Sequence, residues 1–199
     1  MPANPPATEV GEVDARVIDA ALTCFGRYGI AKTTMADVAC EAGISRATLY
    51  RQVDSREELI HATIRAEARR ITALVEEATA DVESTPELLA AVLHVLAAEL
   101  AGHEVLNSLL ETEPEQIVAH LSEDQSYVQT MIAGYCGPAI RRSIGAGEVD
   151  RSDAEATVDY VSRMILVFAV ERSAHVDIAT IGGCRDVVAN EILTGWRTP

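Results

Sequence analysis

Thr34-Met35-Ala36-Asp37-Val38-Ala39-Cys40-Glu41-Ala42-Gly43-Ile44-Ser45-Arg46-Ala47-Thr48-Leu49-Tyr50 decides the fold. Thr34 followed by Asp37 three residues later is a capping-box pattern, in which a hydroxyl and a carboxylate satisfy the free N–H groups of a starting helix. Val38 and Ala39 fall on its inward face, and Gly43 suits the left-handed residue that ends it. Ser45 then caps a second short helix holding Ala47, Thr48, Leu49 and Tyr50. Two short helices joined by a tight turn at Gly43-Ile44 form a helix-turn-helix.

Upstream, Val17, Ile18, Ala21, Leu22 and Phe25 recur at helical spacing, and Gly26 and Gly29 bracket the end of that helix. Downstream, Ser55-Arg56-Glu57-Glu58 is a further capping box. It opens a long helix whose apolar stripe is Leu59, Ile60, Ile64, Ile71, Leu74, Val75 and Ala78. The rest reads as helix as well. One helix runs from Pro86 to Leu100, and a short one includes Val105 to Leu110. A solvated loop holds Glu111, Glu113, Pro114 and Glu115. A helix within Tyr127 to Ile144 is kinked at Gly137-Pro138. An apolar helix from Asp153 carries Val158, Val161, Met164, Ile165, Leu166, Phe168 and Val170. Gly182-Gly183 breaks the chain before a last helix with Val187, Val188, Ile192, Leu193 and Trp196. No stretch alternates at period two. The expected class is all-α, an N-terminal three-helix helix-turn-helix domain joined by a long helix to a C-terminal helical body. The expected boundaries are a disordered tail over residues 1–12, a DNA-binding domain over 13–57 and the helical body over 58–199.

Composition sets limits. Aromatic residues make up only 4% of the chain, so the core must be built from Ala, Val, Leu and Ile. No apolar run is read as spanning a bilayer, and residues 1–12 lack the basic cluster and apolar core of a signal peptide, so a cytoplasmic protein without a membrane partner is expected. Cys24, Cys40, Cys136 and Cys184 are scattered without a CxxC pair and read as reduced, buried small residues. Of the net charge of −15, residues 1–52 carry only −1, with five basic side chains against six acidic ones. The remaining −14 belongs to the body, where it orients a DNA-facing end rather than forbidding one.

Within the second short helix, Arg46 and Arg51 are long donors suited to phosphate or guanine. Ala47 and Thr48 are small enough to let backbone approach, and Tyr50 and Gln52 reach toward phosphates from the flanks. No GxSxG, Walker-type loop, GxGxxG or HExxH occurs. His61, His94, His103, His120 and His175 sit apart without ligand spacing. Neither catalysis, a metal nor another cofactor is expected.

Val17 to Ile64 resembles the DNA-binding domain of the TetR family of bacterial repressors. The likeness runs through Ile18-Asp19-Ala20-Ala21-Leu22, Phe25, Gly29, Thr33-Thr34, Asp37-Val38-Ala39, Ala42-Gly43-Ile44-Ser45, Thr48-Leu49-Tyr50 and Ser55-Arg56-Glu57-Glu58-Leu59. Gly147-Glu148-Val149 with Asp153 is similar to the turn before the eighth helix of many members. The resemblance implies that Thr34 contacts phosphate, that Arg46, Ala47, Thr48 and Arg51 face base edges, and that Tyr50, Gln52 and Arg56 hold the DNA backbone, with Ser45 in the same contact set. Gln52 departs from a common His, and Val53 from a usual Phe that packs beneath the recognition helix.

The resemblance further implies an effector pocket among the middle helices, with Leu106, Leu109, Leu110, Tyr127, Met131, Tyr135, Met164 and Phe168 as candidates. Their chemistry suits a lipophilic small molecule. A homodimer is implied too, built on the last two helices with Val161, Ile165, Val188, Ile192 and Trp196 at the interface. The function these expectations describe is a repressor that binds a palindromic double-stranded DNA operator as a dimer and is released by a small molecule. The rival is a co-regulator of the same fold that binds a protein partner instead of DNA.

Overall fold

Local capping chemistry sets the helix boundaries of the N-terminal region. The computed structural model describes residues 13–147, 153–170 and 176–193. α1 (Ala15–Tyr28) starts where the Asp14 carboxylate accepts from Arg16 N–H at 2.9 Å, and closes where Gly29 N–H donates to the Phe25 carbonyl. α2 (Met35–Glu41) opens on the complete capping box, with Thr34 Oγ1 accepting from Asp37 N–H and the Asp37 carboxylate accepting from Thr34 N–H. Gly43 then turns the chain at φ +68°, a region that costs other L-residues steric strain. α3 (Arg46–Leu49) is four residues long, and Ser45 Oγ accepts from Thr48 N–H at 3.0 Å to cap it. α4 (Arg56–Thr79) follows, with Glu58 N–H donating to Ser55 Oγ at 3.0 Å.

The later helices are α5 (Thr85–Gly102), α6 (Glu104–Thr112), α7 (Pro114–Gly145), α8 (Ala154–Val170) and α9 (Ile181–Val187). The last runs on into a π-helical turn, Val188–Ile192. No strand occurs among the described residues, so the class is all-α as expected.

Several boundaries differ from the expected ones. The acidic loop shrinks to Glu113 alone, because Pro114, lacking an N–H, suits the first position of α7 and starts a helix instead of ending one. α7 then covers 32 residues and continues through Pro138. Gly182 and Gly183 lie in the first turn of α9 rather than breaking the chain. Thr180 Oγ1 caps that turn by accepting from Gly183 N–H at 3.1 Å. Glycine is needed at 183 for space, since a Cβ there would lie 1.9 Å from the Asp177 carbonyl oxygen. α5 is long and apolar enough to cross a membrane by length and composition, contrary to the expectation that no run is. Its Leu88, Leu89, Val92, Leu93 and Leu96 are instead buried in a protein core.

The chain folds into two compact units, and neither is continuous in sequence. The first takes the described residues up to Glu67 together with Glu104–Asp124; the second takes Ala68–His103 and the described residues from Gln125 onward. The boundary expected at 57/58 therefore falls inside α4, and the unit carrying the helix-turn-helix also includes α6 and the start of α7. Its core is Val17, Ala21, Phe25, Ile30, Val38, Leu49, Val53, Leu59, Ile60, Leu109 and Ile117. The second unit packs α5 against α8 and α9 around Leu89, Leu93, Cys136, Ile140, Val161, Ile165 and Ile192. The expected disordered tail, Glu148-Val149 and Trp196 lie outside the described residues.

Candidate nucleic-acid interface

α3 is anchored through one side chain. Leu49 is fully buried in the first unit's core, while Arg46, Ala47, Tyr50 and Arg51 are exposed around it. A four-residue helix has no stability of its own, so burial of Leu49 and the Ser45 cap hold it in place. Val53, where a larger ring was the expected family residue, is 2% exposed and fills its site as part of the same core.

Polar contacts fix the surface side chains. Ser45 Oγ and Thr48 Oγ1 lie 2.9 Å apart, and Arg51 Nη2 donates to Thr48 Oγ1 at 3.2 Å. Thr34, at the start of α2, joins Arg46, Tyr50, Met35 and Arg56 in lining an open cleft of about 670 Å³. The Thr34 hydroxyl, then its backbone N–H, hold the Asp37 carboxyl below its ordinary range, with the Arg46 charge adding to the effect. Asp37 is thus a fixed anion committed to the cap. Arg27 is paired with Glu41 at 3.2 Å, whereas Arg46 and Arg51 have no carboxylate partner within salt-bridge distance among the described residues.

Two residues expected at the DNA backbone are engaged inside the protein. Gln52 Oε1 accepts from Asp14 N–H at 2.9 Å, tying the end of the recognition segment to the start of α1. Arg56 Nε donates to the Thr33 carbonyl at 2.9 Å and its Nη2 to the Ile30 carbonyl, so its guanidinium braces the loop that leads into α2. Both carbonyls belong to the segment that presents Thr34. Arg56 is a positioning residue in this geometry. A third brace was absent from the sequence reading: Glu113 Oε2 accepts from Ala31 N–H at 3.0 Å, across 82 positions of sequence. Its acid was expected in a solvated loop.

The effector candidates divide between the two units. Leu109 is buried and Leu106 partly buried in the first core, and Leu110 is exposed. Tyr127 and Met131 are half-buried on α7. Tyr135, Met164 and Phe168 pack on the second core, where the Tyr135 hydroxyl pairs with Thr79 Oγ1.

The dimer residues need correction. Val161 and Ile165 are 0% exposed, and Val188 and Ile192 are 1% exposed, all inside the second unit's own core. A side chain with no surface in the single chain has none to offer a partner. The exposed apolar residues of α8 are Val167 and Val170. Trp196 lies outside the described residues.

The histidines need correction too. His61 and His120 were read as separate, but α4 and α7 bring their rings to 5.6 Å between centroids. Cys40 is exposed, unlike the buried Cys24, Cys136 and Cys184.

A family profile described as "Bacterial regulatory proteins, tetR family" matches residues 17–63, the stretch that builds α1 to α3 and opens α4. An uncharacterized HTH-type transcriptional regulator of Mycobacterium bovis is 23% identical over 167 residues, covering 84% of this chain and 83% of that protein. The HTH-type transcriptional regulator BetI of Agrobacterium fabrum is 34% identical over 79 residues, covering 40% of this chain and 38% of its own. Among solved structures, the transcriptional regulator FadR from Bacillus subtilis in complex with stearoyl-CoA superposes with a TM-score of 0.61 at 16% identity, over 88% of this chain and 97% of that one. Residues 17–63, the capped helix-turn-helix with its exposed Arg46 and Arg51, thus match the tetR family of bacterial regulatory proteins.

Proposed function

We propose that the protein is a repressor that binds a palindromic operator as a homodimer and leaves it when a small lipophilic effector binds. The observation that carries the reading is the exposed set Arg46, Ala47, Tyr50 and Arg51 on a helix pinned from behind by Leu49. A single helix of this kind fits the major groove, where arginine pairs with guanine edges or phosphate. The chain's −15 charge lies almost wholly outside residues 1–52, which favours approach by the helix-turn-helix end.

A homodimer supplies two recognition helices for two half-sites related by a two-fold axis. Val167 and Val170, one turn apart on α8 and exposed, are the apolar surface we assign to it. The effector reading rests on the Tyr, Met and Phe side chains around the second core and on the fold shared with a regulator solved with stearoyl-CoA. Release would be a population shift: an effector that prefers one arrangement of the body competes with operator DNA through a coupling of about 1–3 kcal/mol. α4 is one unbroken helix whose first part belongs to the first unit and whose last part belongs to the second, which gives the coupling a physical carrier. Such a regulator works in the cytoplasm, where the DNA is.

Selection from random double-stranded DNA with the full chain tests this. The expected product is a two-fold-symmetric motif whose complex is weakened by a long-chain acyl-CoA. No enriched motif would favour the protein-binding co-regulator instead.

A further inference from the structure

His61 lies in the second turn of α4 and His120 in the second turn of α7, both within the first compact unit. Their rings meet edge to face, with an interplanar angle of 78°. Asp124, one turn beyond His120, is 3% exposed. Its two carboxylate oxygens are used separately: Oδ2 lies 2.7 Å from His61 Nδ1, and Oδ1 accepts from Arg65 Nε at 3.1 Å. On the other side of the ring, His61 Nε2 faces Glu123 Oε2 at 3.0 Å. His120 Nδ1 is buried without a hydrogen-bond partner among the described residues.

This arrangement has the two layers of a metal site. A buried carboxylate beside Nδ1 occupies the place of the outer-layer carboxylate that orients a metal-ligating histidine, whose Nε2 then faces the metal. Arg65 pairs with the second oxygen of Asp124 and fixes that carboxylate in place. His61 Nε2 and Glu123 Oε2 face each other at 3.0 Å on the side of the ring away from Asp124. One ligand atom from each of His61, His120 and Glu123 falls within 4.8 Å of the others.

The separation of His61 Nε2 and Glu123 Oε2 suits a first-row divalent ion. With metal–nitrogen and metal–oxygen bonds of about 2.0–2.1 Å, the 3.0 Å separation of Nε2 and Oε2 subtends about 95° at the metal. Ligands of a tetrahedral zinc stand about 3.3 Å apart, so the third must close in by a side-chain rotation on loading. That third ligand is His120, and Glu123, whose side chain is 64% exposed, is free to follow it. Two imidazoles and one carboxylate select zinc, cobalt or nickel over calcium and magnesium, and leave a position for water.

We propose that His61, His120 and Glu123 bind a divalent transition-metal ion of the zinc class, with Asp124 orienting His61. The ion clasps α4 to α7 within the unit that also presents α3. This site is independent of the DNA and effector readings above.

The test is titration of the full-length, chelator-treated protein with Co²⁺ alone, followed by the visible absorption of the bound ion and competition by Zn²⁺. Wild type is expected to saturate at one equivalent. His120→Asn and Glu123→Gln are expected to weaken binding at least tenfold, while His94→Asn, in the second unit, leaves it unchanged. Glu123 is exposed, so its variant folds even where His120→Asn does not, and circular dichroism checks both. Absence of saturable binding by wild type, or binding that survives both substitutions, would overturn the proposal.

Discussion

Replacing Arg56 with methionine keeps the aliphatic stem and removes the donors that hold the Thr33 and Ile30 carbonyls. Hydrogen bonds from a charged donor contribute about 1.5–3 kcal/mol each when buried. The Arg56 side chain is 29% exposed, and water can replace part of what is lost, so the pair together is worth about 1–3 kcal/mol. For a chain of this size that corresponds to a melting temperature lower by about 2–12 °C. Because the carbonyls belong to the loop before Thr34, DNA affinity should fall as well, through misplacement of α2. The discriminating quantity is the salt dependence. A lost phosphate contact lowers the slope of log K against log salt by about 0.9 per contact, whereas a lost brace leaves it unchanged. Scanning calorimetry and fluorescence anisotropy at four salt concentrations measure both. An unchanged melting temperature with a slope reduced by about one or more would refute the reasoning, since Arg56 would then be a phosphate ligand and not a brace.

The assembly surface is open to a similarly direct comparison: Val167→Glu with Val170→Glu should shift the sedimentation coefficient to that of a monomer while the fold survives. Val161→Ala, by contrast, should lower stability and leave the dimer formed, and the reverse pattern would return the interface to the buried residues. Alkylation at pH 8 should label Cys40 alone in the native protein, because it is exposed while burial pushes the Cys136 thiol up to about 12 and the Cys184 thiol up to about 11. Equal labelling of Cys136 and Cys40 would contradict that packing. Asp37, held low by Thr34, and Glu155, held low by Arg141, have folded-state values depressed below their ordinary 3.8 and 4.5. Depressed carboxyls add stability that is present above those ordinary values and lost as pH falls through the folded ones. Their share of the melting temperature should therefore be constant above about pH 5 and fall below about pH 4; a rise on acidification below about pH 4 would exclude this contribution.

What the sequence made legible was chemistry confined to a few neighbouring residues. Thr34 with Asp37, Gly43, and Ser45 with Thr48 act across windows of three or four positions, and each appears in the structure in its expected role. Burial of Val38 and Ala39 followed from helical periodicity for the same reason. Contacts between distant segments were not legible. No periodicity links Glu113 to Ala31, Gln52 to Asp14 or His61 to Asp124, because each depends on how helices pack after they form. The acidic loop failed on a subtler point, since Pro114 both ends and begins helices and only its position tells which. The apolar stripe of α8 is real, but a stripe cannot say whether it faces its own core or a partner. Val161 and Ile165 went inward, leaving Val167 and Val170 at the surface.

The central claim is that Arg46 and its neighbours on α3 read DNA. Anisotropy of a selected operator, measured against salt for wild type and Arg46→Ala, tests it most directly. The account predicts tight binding that weakens steeply with salt, at least tenfold weaker binding by Arg46→Ala, and an unchanged melting temperature, since Arg46 is exposed and unpaired by any carboxylate among the described residues. Binding that ignores salt, or an Arg46→Ala protein that binds like wild type, would contradict it.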